Sequence, residues 1–255
     1  LTKKGYMKRL IDDTIEENLN IFGAISIEGP KWCGKTWTAL NHSNSVTYLN
    51  NTADNFREKH LAEMDVNLVL DKDAPELIDE WQEVPAIWDA VRFKCDQDNK
   101  KGKYILTGSS VPVSDKIHHS GAGRICKMKM YTMSLYESGD STGEVSLKDL
   151  FENNVKNKLV DKVELKRLAE LIVRGGWPET IDISAKGAMR IAKSYIEAVL
   201  DKDIVEIDGV KRDRQKMEML LRSLARNEST ISGNNVLMKD IDDNITEEDV
   251  TISRN

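Results

Sequence analysis

The segment from Gly29 to Thr36, which reads GPKWCGKT, constrains this chain more than any other stretch. It fits the phosphate-loop pattern G-x-x-x-x-G-K-[ST] and directly follows an apolar run from Ala24 to Ile27. Glycines let a backbone wrap around phosphate groups, and the amides at the start of the following helix point at them. A plain glycine turn is the alternative, but the strand before and the helix after disfavour it. The pattern therefore predicts a binding site for a nucleoside triphosphate.

Individual residues of this loop have predicted roles. Lys35 is expected to reach the β and γ oxygens of the triphosphate, and Thr36 to place its hydroxyl on Mg²⁺. Cys33 lies where a helix N-terminus lowers a thiol pKa, and we interpret it as a reactive bystander because no histidine neighbours it in sequence. The predicted ATP-binding residues of the loop are Gly29, Pro30, Lys31, Trp32, Cys33, Gly34, Lys35, Thr36 and Trp37.

The composition excludes several classes of protein. With 255 residues and 40% hydrophobic side chains, the chain can form one large or two modest domains. A net charge of -6 predicts no general attraction to nucleic acid or anionic lipid. Three cysteines without metal-ligand spacing favour a reducing cytoplasm over a disulfide framework. No apolar stretch is long enough for a membrane span, so we predict a cytoplasmic protein without a membrane partner.

Short apolar runs predict five strands with helices between them. The strands are expected at Ala24–Glu28, Val46–Leu49, Glu76–Ile78, Lys103–Leu106 and Ile125–Tyr131. Apolar positions between Leu10 and Phe22 indicate a helix before the first strand, and Pro85–Asp96 has the pattern of another. Strands that alternate with helices predict an α/β fold with a doubly wound, parallel, five-stranded sheet. In such a sheet the ligand binds at the carboxyl ends of the strands, where the phosphate loop falls.

After about Glu137 the strand signals end and helical patterns follow. Helices are predicted over Ser146–Asn153, Lys162–Arg174, Lys186–Ile207 and Lys211–Asn227, with a break at Gly175–Pro178. The glycine-rich stretch Ser138–Gly143 marks the boundary. We therefore predict a P-loop core with an N-terminal helix over residues 1–137, a helical region over 138–218 and an incomplete winged-helix-like segment over 219–255.

Two carboxylates, Asp79 and Glu80, end the apolar run that begins at Leu77. In a nucleotide hydrolase such a pair lets Asp79 hold Mg²⁺ while Glu80 orients or activates the attacking water. The alternative is a surface turn that opens a helix, because acidic residues are also favoured there. The phosphate loop at this separation favours the hydrolase interpretation.

The third element of the predicted site is the stretch Ile105 to Ser110, which reads ILTGSS and is a strand that ends in hydroxyl residues. Thr107 or Ser109 is the candidate to sense the γ-phosphate of ATP, and a strand that runs into a glycine turn is an equally good interpretation. GTP is disfavoured, because Asn157–Asp161 misses the guanine-reading pattern N-K-x-D by one residue. The adjacent Asp-Glu pair favours hydrolysis over phosphoryl transfer to a metabolite.

Several stretches together resemble one family. They are Gly29–Thr36, LIDEWQEVP at 77–85, IWDAVR at 87–92, ILTGS at 105–109, HSGAGR at 119–124, MSLYE at 133–137 and GGWP at 175–178. Over nearly its whole length the chain is similar to predicted AAA-type ATPases of bacteria and archaea, members of the AAA+ superfamily that carry a C-terminal domain of unknown function. The resemblance implies an AAA core with strand order 5-1-4-3-2, ATP with Mg²⁺ as ligand, and Glu80 as the catalytic residue. It implies no substrate.

Arg124 matches the glycine-rich arginine motif of that family. It is predicted to supply positive charge to the γ-phosphate, in its own chain or from a neighbouring subunit after self-association. The alternative is an arginine that starts a strand and pairs with a surface carboxylate. The predicted catalytic residues are therefore Glu80, Lys35 and Arg124, and the predicted metal ligands are Thr36 and Asp79.

The C-terminal part offers weaker signals. A basic patch runs from Lys211 to Lys216 and continues with Arg222 and Arg226, and we expect DNA phosphates, a subunit interface or a solvated helix face there. The order of helix, turn and helix start after Met219, with the second helix near Thr246, resembles the opening of a winged helix-turn-helix. In the resembling family this segment continues. We therefore expect a truncated chain whose DNA or protein partner binds through the missing C-terminal region.

The sequence thus predicts an ATP-binding protein that hydrolyses ATP with Mg²⁺ and couples its nucleotide state to a conformational change. The alternative is a nucleotide-gated DNA-binding or protein-interaction module with little or no turnover. Phosphate release measured with and without DNA would separate the two.

Overall fold

The computed structural model describes residues 5–109, 119–154, 162–203 and 213–242. Its first part alternates strands and helices. The strands are β1 Ala24–Glu28, β2 Ser45–Tyr48, β3 Glu76–Asp79, β4 Tyr104–Gly108 and β5 Ile125–Lys129. The helices of this part are α1 Asp12–Ile21, α2 Lys35–Asn41, α3 Arg57–Met64 and α4 Ala86–Asp98.

The five strands form one sheet in the order β2-β3-β4-β1-β5, and each neighbouring pair is parallel. This confirms the predicted doubly wound sheet, and the order is the one that the family resemblance implies. The strand β1, which leads into the phosphate loop, lies between β4 and β5. The loop therefore leaves the carboxyl end of an interior strand, the position at which open α/β sheets bind ligands.

Successive strand residues point to opposite faces of the sheet. Apolar side chains therefore lie on both faces, and helices cover both. Ile25 of β1, Leu77 of β3 and Ile105 of β4 belong to one apolar cluster with residues of α1 and α2. The adjacent strand residues Ala24, Ile78 and Leu106 belong to a second cluster with Trp81, Trp88 and the apolar side of α4. Burial on both faces explains why these strands are continuous apolar runs.

The helix α3 has no counterpart among the predicted elements. Its sequence REKHLAEM buries Ala62 alone, so it lacks the apolar stripe from which a helix is predicted. The other helices of this first part and all five strands lie within a few residues of their predicted places.

After the sheet, the described residues of the first unit and the start of the second form α5 Leu147–Phe151, α6 Leu165–Arg174 and α7 Ala185–Ala198. The helix α7 continues into a π-helical turn over Val199–Asp203. Gly175 ends α6 with a φ of 67°, as the predicted glycine break requires. The next residue, Gly176, accepts a hydrogen bond from the Met133 amide at 2.7 Å. A Cβ at Gly176 would lie 2.3 Å from the Met133 carbonyl oxygen, so only glycine permits this approach.

The chain divides into two compact units, Leu1–Ile191 and Ala192–Asn255. The second contains α8 Arg214–Arg226 and α9 Asn234–Asp242, which are joined by a hydrogen bond from the Ser223 hydroxyl to the Leu237 carbonyl at 3.2 Å. The predicted functional boundaries at residues 137 and 218 stay predictions. Within the described residues, no helix is both long and apolar enough to span a membrane.

The described C-terminal residues contain a second helix that the sequence does not predict. This helix begins at Asn234, where the Gly233 carbonyl accepts the amides of Val236 and Leu237 and so starts the first turn. The segment from Thr246 lies outside the described residues, as do Ser110, Asn157–Asp161, Lys211 and Arg212. The winged helix and the truncation stay predictions.

Candidate nucleotide-binding site

The loop between β1 and α2 has a backbone that two glycines make possible. Gly34 has a φ of 98°, in the left-handed region that a side chain disfavours, and it directly precedes α2. A Cβ on Gly29 would lie 2.2 Å from the carbonyl oxygen of Met130. The two glycines of the pattern are therefore required by the backbone, and a plain glycine turn would not need both.

Lys35 is a buried cation within this loop. Its Nζ donates to the Gly29 and Pro30 carbonyls at 3.0 and 2.9 Å, and the residue is 6% exposed. Lys35 also begins α2, whose first-turn amides have no acceptor within the helix, and this first turn contains no acidic residue. An ammonium group and free helix amides at one place favour a bound anion.

Asp79 lies at the centre of the predicted polar residues. It ends β3 in register with Thr107 of β4, and its Oδ1 accepts the Thr107 hydroxyl at 2.7 Å. The same oxygen accepts the Thr36 hydroxyl from α2, also at 2.7 Å. Three residues that lie far apart in the sequence thus meet at the carboxyl edge of the sheet.

This arrangement suits a Mg²⁺ ion that the protein shares with a bound nucleotide. Mg²⁺ keeps much of its water and is usually held by one or two carboxylates together with substrate phosphates. Asp79 and Thr36 supply one carboxylate and one hydroxyl, next to the loop that would hold the phosphates. Within the described residues, no group of three or more His, Cys, Asp or Glu side chains could hold a metal ion alone. The donors present fit an ion shared with a nucleotide.

Glu80 follows β3 in a constrained conformation. Its φ is 59°, and such left-handed backbone is uncommon outside glycine and occurs often at functional sites. The side chain is half-buried, and one carboxylate oxygen accepts a hydrogen bond from the Gln82 amide group. An ionised carboxylate has two acceptor oxygens, so Glu80 retains capacity to bind a water.

The remaining predicted ATP-binding residues surround the same edge of the sheet. Ser109 is half-buried directly after β4, and Thr107 is fully buried within it. Trp32 and Trp37 are 59% and 48% exposed, so neither indole belongs to the core. Of the two γ-phosphate sensor candidates, Thr107 already donates to Asp79.

The interpretation of Cys33 as a reactive thiol is wrong. The residue is fully buried, and burial raises the pKa of its thiol above the ordinary value despite the neighbouring Lys35. A helix N-terminus lowers a thiol pKa only where the thiolate keeps enough solvation. Cys33 can contribute its backbone to the loop, and its side chain packs in the core.

Arg124 lies at the amino ends of the strands, whereas the phosphate loop lies at their carboxyl ends. The residue after it, Ile125, pairs with Ala24 at the amino end of β1, whereas the loop follows Glu28 at the carboxyl end. Four strand steps separate these ends, which is about 13 Å. Arg124 instead donates to Asp96 of α4, as the alternative interpretation has it. The structure therefore does not bring Arg124 to the loop of its own chain.

The three described arginines of the basic patch pair with carboxylates of the same unit. Arg214 pairs with Asp201 at 2.9 Å, Arg222 with Glu218 at 2.7 Å, and Arg226 with Asp240 at 2.8 Å. The adjacent carboxylates reduce the net positive charge of this surface, on which phosphate binding depends. Among the described residues of the patch, the geometry fits a solvated helix face.

Sequence reasoning missed one buried ion pair that touches the loop. Arg9, just before α1, donates to the Cys33 carbonyl at 2.8 Å, and its Nε donates to Glu137 at 2.9 Å. Glu137 belongs to the stretch MSLYE, which drew attention only through the family resemblance. Arg9 belongs to no motif, and only the folded chain brings the two together.

Comparison with protein families agrees with this geometry. Residues 22–139 match a family described as an AAA domain, and residues 165–254 match a domain of unknown function, DUF8612. No curated protein matches the chain significantly.

Solved structures of similar fold include a Walker-type ATPase of Pyrococcus abyssi. It is 13% identical, with a TM-score of 0.53, and the match covers 98% of this chain and 89% of that one. The AMPPCP-bound DnaA from Aquifex aeolicus is 14% identical over 94% of this chain and 78% of that one, with a TM-score of 0.44. At 13% identity, the similarity to the Walker-type ATPase concerns the fold alone.

Proposed function

We propose that this chain, whose residues 22–139 match the AAA domain family, binds ATP with Mg²⁺ and hydrolyses it. The bond that breaks is the one between the β and γ phosphates, and water supplies the new oxygen. The observation that supports this most is the junction at Asp79, where one carboxylate oxygen accepts the hydroxyls of Thr36 and Thr107 beside the phosphate loop.

Each residue at this edge has a proposed part in hydrolysis. Lys35 stabilises the negative charge of the β and γ oxygens, and the amides of the first turn of α2 add to it. Mg²⁺ would be held by Thr36 and Asp79, and it would neutralise the negative charge that develops on the phosphate oxygens. Glu80 orients the attacking water and accepts its proton.

The experiment is ATP binding by calorimetry and steady-state phosphate release, with Lys35→Ala beside the parental protein. Loss of this buried ammonium should weaken ATP affinity by about 100-fold or more, since hydrogen bonds to charged groups are the strong ones. The matched control is Lys8→Ala, because Lys8 is an exposed lysine that pairs with Asp13 at 2.7 Å. Unchanged ATP affinity in a folded Lys35→Ala variant would contradict the assignment.

The alternative function is a nucleotide-gated module with little turnover. The contact between Glu80 and Gln82 favours this alternative, because it occupies one oxygen of the proposed base. In that case the parental protein binds ATP with Mg²⁺ but releases phosphate no faster than Glu80→Gln. Phosphate release with and without duplex DNA then separates a DNA-gated switch from an inert one.

Arg124 has a place in this proposal only if it acts on a second subunit. Its guanidinium is about half exposed and lies too far from the loop of its own chain. Specific activity should then rise with protein concentration, and a mixture of Arg124→Ala with Lys35→Ala should recover activity that neither has alone. Flat specific activity without recovery on mixing would leave Arg124 as the structural partner of Asp96.

A further inference from the structure

The Arg9 guanidinium connects three separate segments of the chain. Its Nη1 donates to the Cys33 carbonyl in the phosphate loop at 2.8 Å, and its Nη2 donates to the Tyr131 carbonyl beyond β5 at 2.8 Å. Its Nε donates to Glu137 at 2.9 Å. All three guanidinium nitrogens are used, in the planar fork geometry that lysine cannot reproduce.

Glu137 is held as completely as Arg9. Besides Arg9, it accepts the backbone amides of Leu10 and Ser134 at 2.8 and 2.7 Å, and the Ser134 hydroxyl at 2.9 Å. Burial alone would raise the pKa of this carboxyl, but the hydrogen bonds from Ser134, Leu10 and Arg9 outweigh burial and lower it. Glu137 therefore remains negatively charged and neutralises the positive charge of Arg9.

The pair is buried against the loop. The side chains of Arg9 and Glu137 are 5% and 7% exposed. A Cβ on Gly34 would lie 3.2 Å from Arg9 Nη1, which places the guanidinium against the glycine that precedes α2. A buried, fully hydrogen-bonded ion pair resists rearrangement, because loss of either partner leaves an uncompensated charge in a poorly solvated place.

The bond to the Cys33 carbonyl fixes the orientation of one peptide group. In a planar trans peptide the carbonyl and the following N–H point in opposite directions. Because Arg9 holds the Cys33 oxygen, the Gly34 N–H must point away from Arg9. On the other side of the loop, Lys35 holds the carbonyls of Gly29 and Pro30. The loop backbone is thus fixed by one cation outside it and one within it.

We propose that Arg9 and Glu137 form a positioning pair that holds the phosphate loop in its ATP-binding conformation. This inference rests on the proposed function of the loop. Arg9 is a positioning residue because it acts through the Cys33–Gly34 peptide. The pair also ties the loop to the segments before α1 and after β5, so a movement of either segment would reach the loop through Arg9.

The experiment compares Arg9→Met and Arg9→Lys with the parental protein in two measurements. The first is ATP affinity with Mg²⁺ by calorimetry, and the second is amide hydrogen exchange of residues 29–36 without nucleotide. Arg9→Met should bind ATP about tenfold more weakly or worse, because a charge-assisted hydrogen bond to the loop is lost. Arg9→Lys should recover part of that loss, and both variants should exchange loop amides faster.

Lys8→Ala is the matched control, since it removes a neighbouring cation that is exposed. It should change neither measurement. A pair that merely fastens the chain would lower the unfolding temperature and leave both the ATP affinity of the folded protein and the exchange of residues 29–36 unchanged. That result in Arg9→Lys would overturn the proposal, even if Arg9→Met fails to fold.

The two proposals fail in different ways. If the parental protein binds no ATP, the proposed function is wrong, and the exchange of residues 29–36 still decides whether Arg9 positions the loop. If the parental protein binds ATP and Arg9→Lys retains parental affinity and exchange, the positioning role alone is wrong.

Discussion

Two glutamates at opposite ends of β3 differ in their burial and in the roles that their positions suggest. Glu76 begins the strand, is fully buried, and accepts the Thr47 hydroxyl at 3.0 Å and the Lys72 amide at 3.2 Å. Glu80 follows the end of the strand, is half-buried, and has left-handed backbone next to Asp79. The first carboxylate is enclosed by the fold, whereas the second belongs to the residue that follows the carboxyl end of the strand, the end at which the phosphate loop leaves β1.

Residue type alone therefore does not identify a site in this sheet. At the amino ends, Glu76 bonds to Thr47, and Arg124 bonds to Asp96, so the polar groups satisfy one another. At the carboxyl ends, the partly buried Asp79 accepts hydrogen bonds from the hydroxyls of Thr36 in α2 and Thr107 in β4. Function is expected at the second edge because loops leave all parallel strands there.

The largest effect that would test this comparison is on hydrolysis. Glu80→Gln should lower the steady-state rate of phosphate release by about 100-fold or more, because an amide cannot accept the proton of the attacking water. ATP affinity should remain near the parental value. Glu76→Gln is the matched control, since it makes the same change at the other end of the same strand and should retain the parental rate.

Parental turnover in Glu80→Gln would show that this residue is merely an acidic helix-start residue. Equal loss of activity in both glutamine variants, with both folded, would remove the distinction between the two ends of β3.

The next effect, smaller by about one order of magnitude, concerns the metal. Thr107→Val removes one of the two hydroxyls that hold Asp79 Oδ1, so the concentration of Mg²⁺ required for ATP binding should rise about tenfold, as is typical when a partner of a metal ligand is lost. A Mg²⁺ titration of ATP affinity measures this.

The control for Thr107 is Thr47→Val. This variant removes the hydroxyl that donates a hydrogen bond to Glu76, the first residue of β3. It should lower stability without changing the Mg²⁺ requirement for ATP binding. If Thr107→Val instead weakens ATP binding equally at all Mg²⁺ concentrations, Thr107 contacts the nucleotide and not the metal ligand.

Much of the fold could be predicted because its signals are local. The strands are short apolar runs, buried on both faces, and the two loop glycines are required by a positive φ at Gly34 and a close approach at Gly29. The helix α3 was missed because it buries Ala62 alone. The helix at Asn234 is not predicted because the apolar run after Val236 is too short to indicate a helix.

The site was predictable only where a motif lies at a strand end. Asp79 and Thr107 could be named because each ends an apolar run, but their hydrogen bond depends on which strands are neighbours. Arg9 and Glu137 lie 128 residues apart, and their pairing depends on the path of the whole core. Arg124 was assigned to the site from a motif, and its place at the amino end of β5 follows from pairing that local sequence does not encode.

The smallest expected effect is the dependence of stability on pH, and here Glu76 and Glu137 have opposite signs. Burial raises the pKa of Glu76 above the reference 4.5, against the hydrogen bonds from Lys72 and Thr47. The native state then binds more protons than the unfolded state, so this group costs stability as pH rises above 4.5. For Glu137 the hydrogen bonds outweigh burial and lower the pKa below 4.5, so its contribution is lost as pH falls below that value.

Denaturant unfolding of Glu76→Gln and Glu137→Gln between pH 3.5 and about 7 would measure both signs, since neither glutamine titrates. The stability of Glu76→Gln relative to the parental protein should increase as pH rises from 4.5. The deficit of Glu137→Gln should be largest near neutral pH and shrink as pH falls below 4.5, because the parental protein then loses the charge that pairs with Arg9. Parallel pH profiles for the two variants would mean that Glu76 is not enclosed as described, and that the buried end of β3 differs less from the site end than the geometry implies.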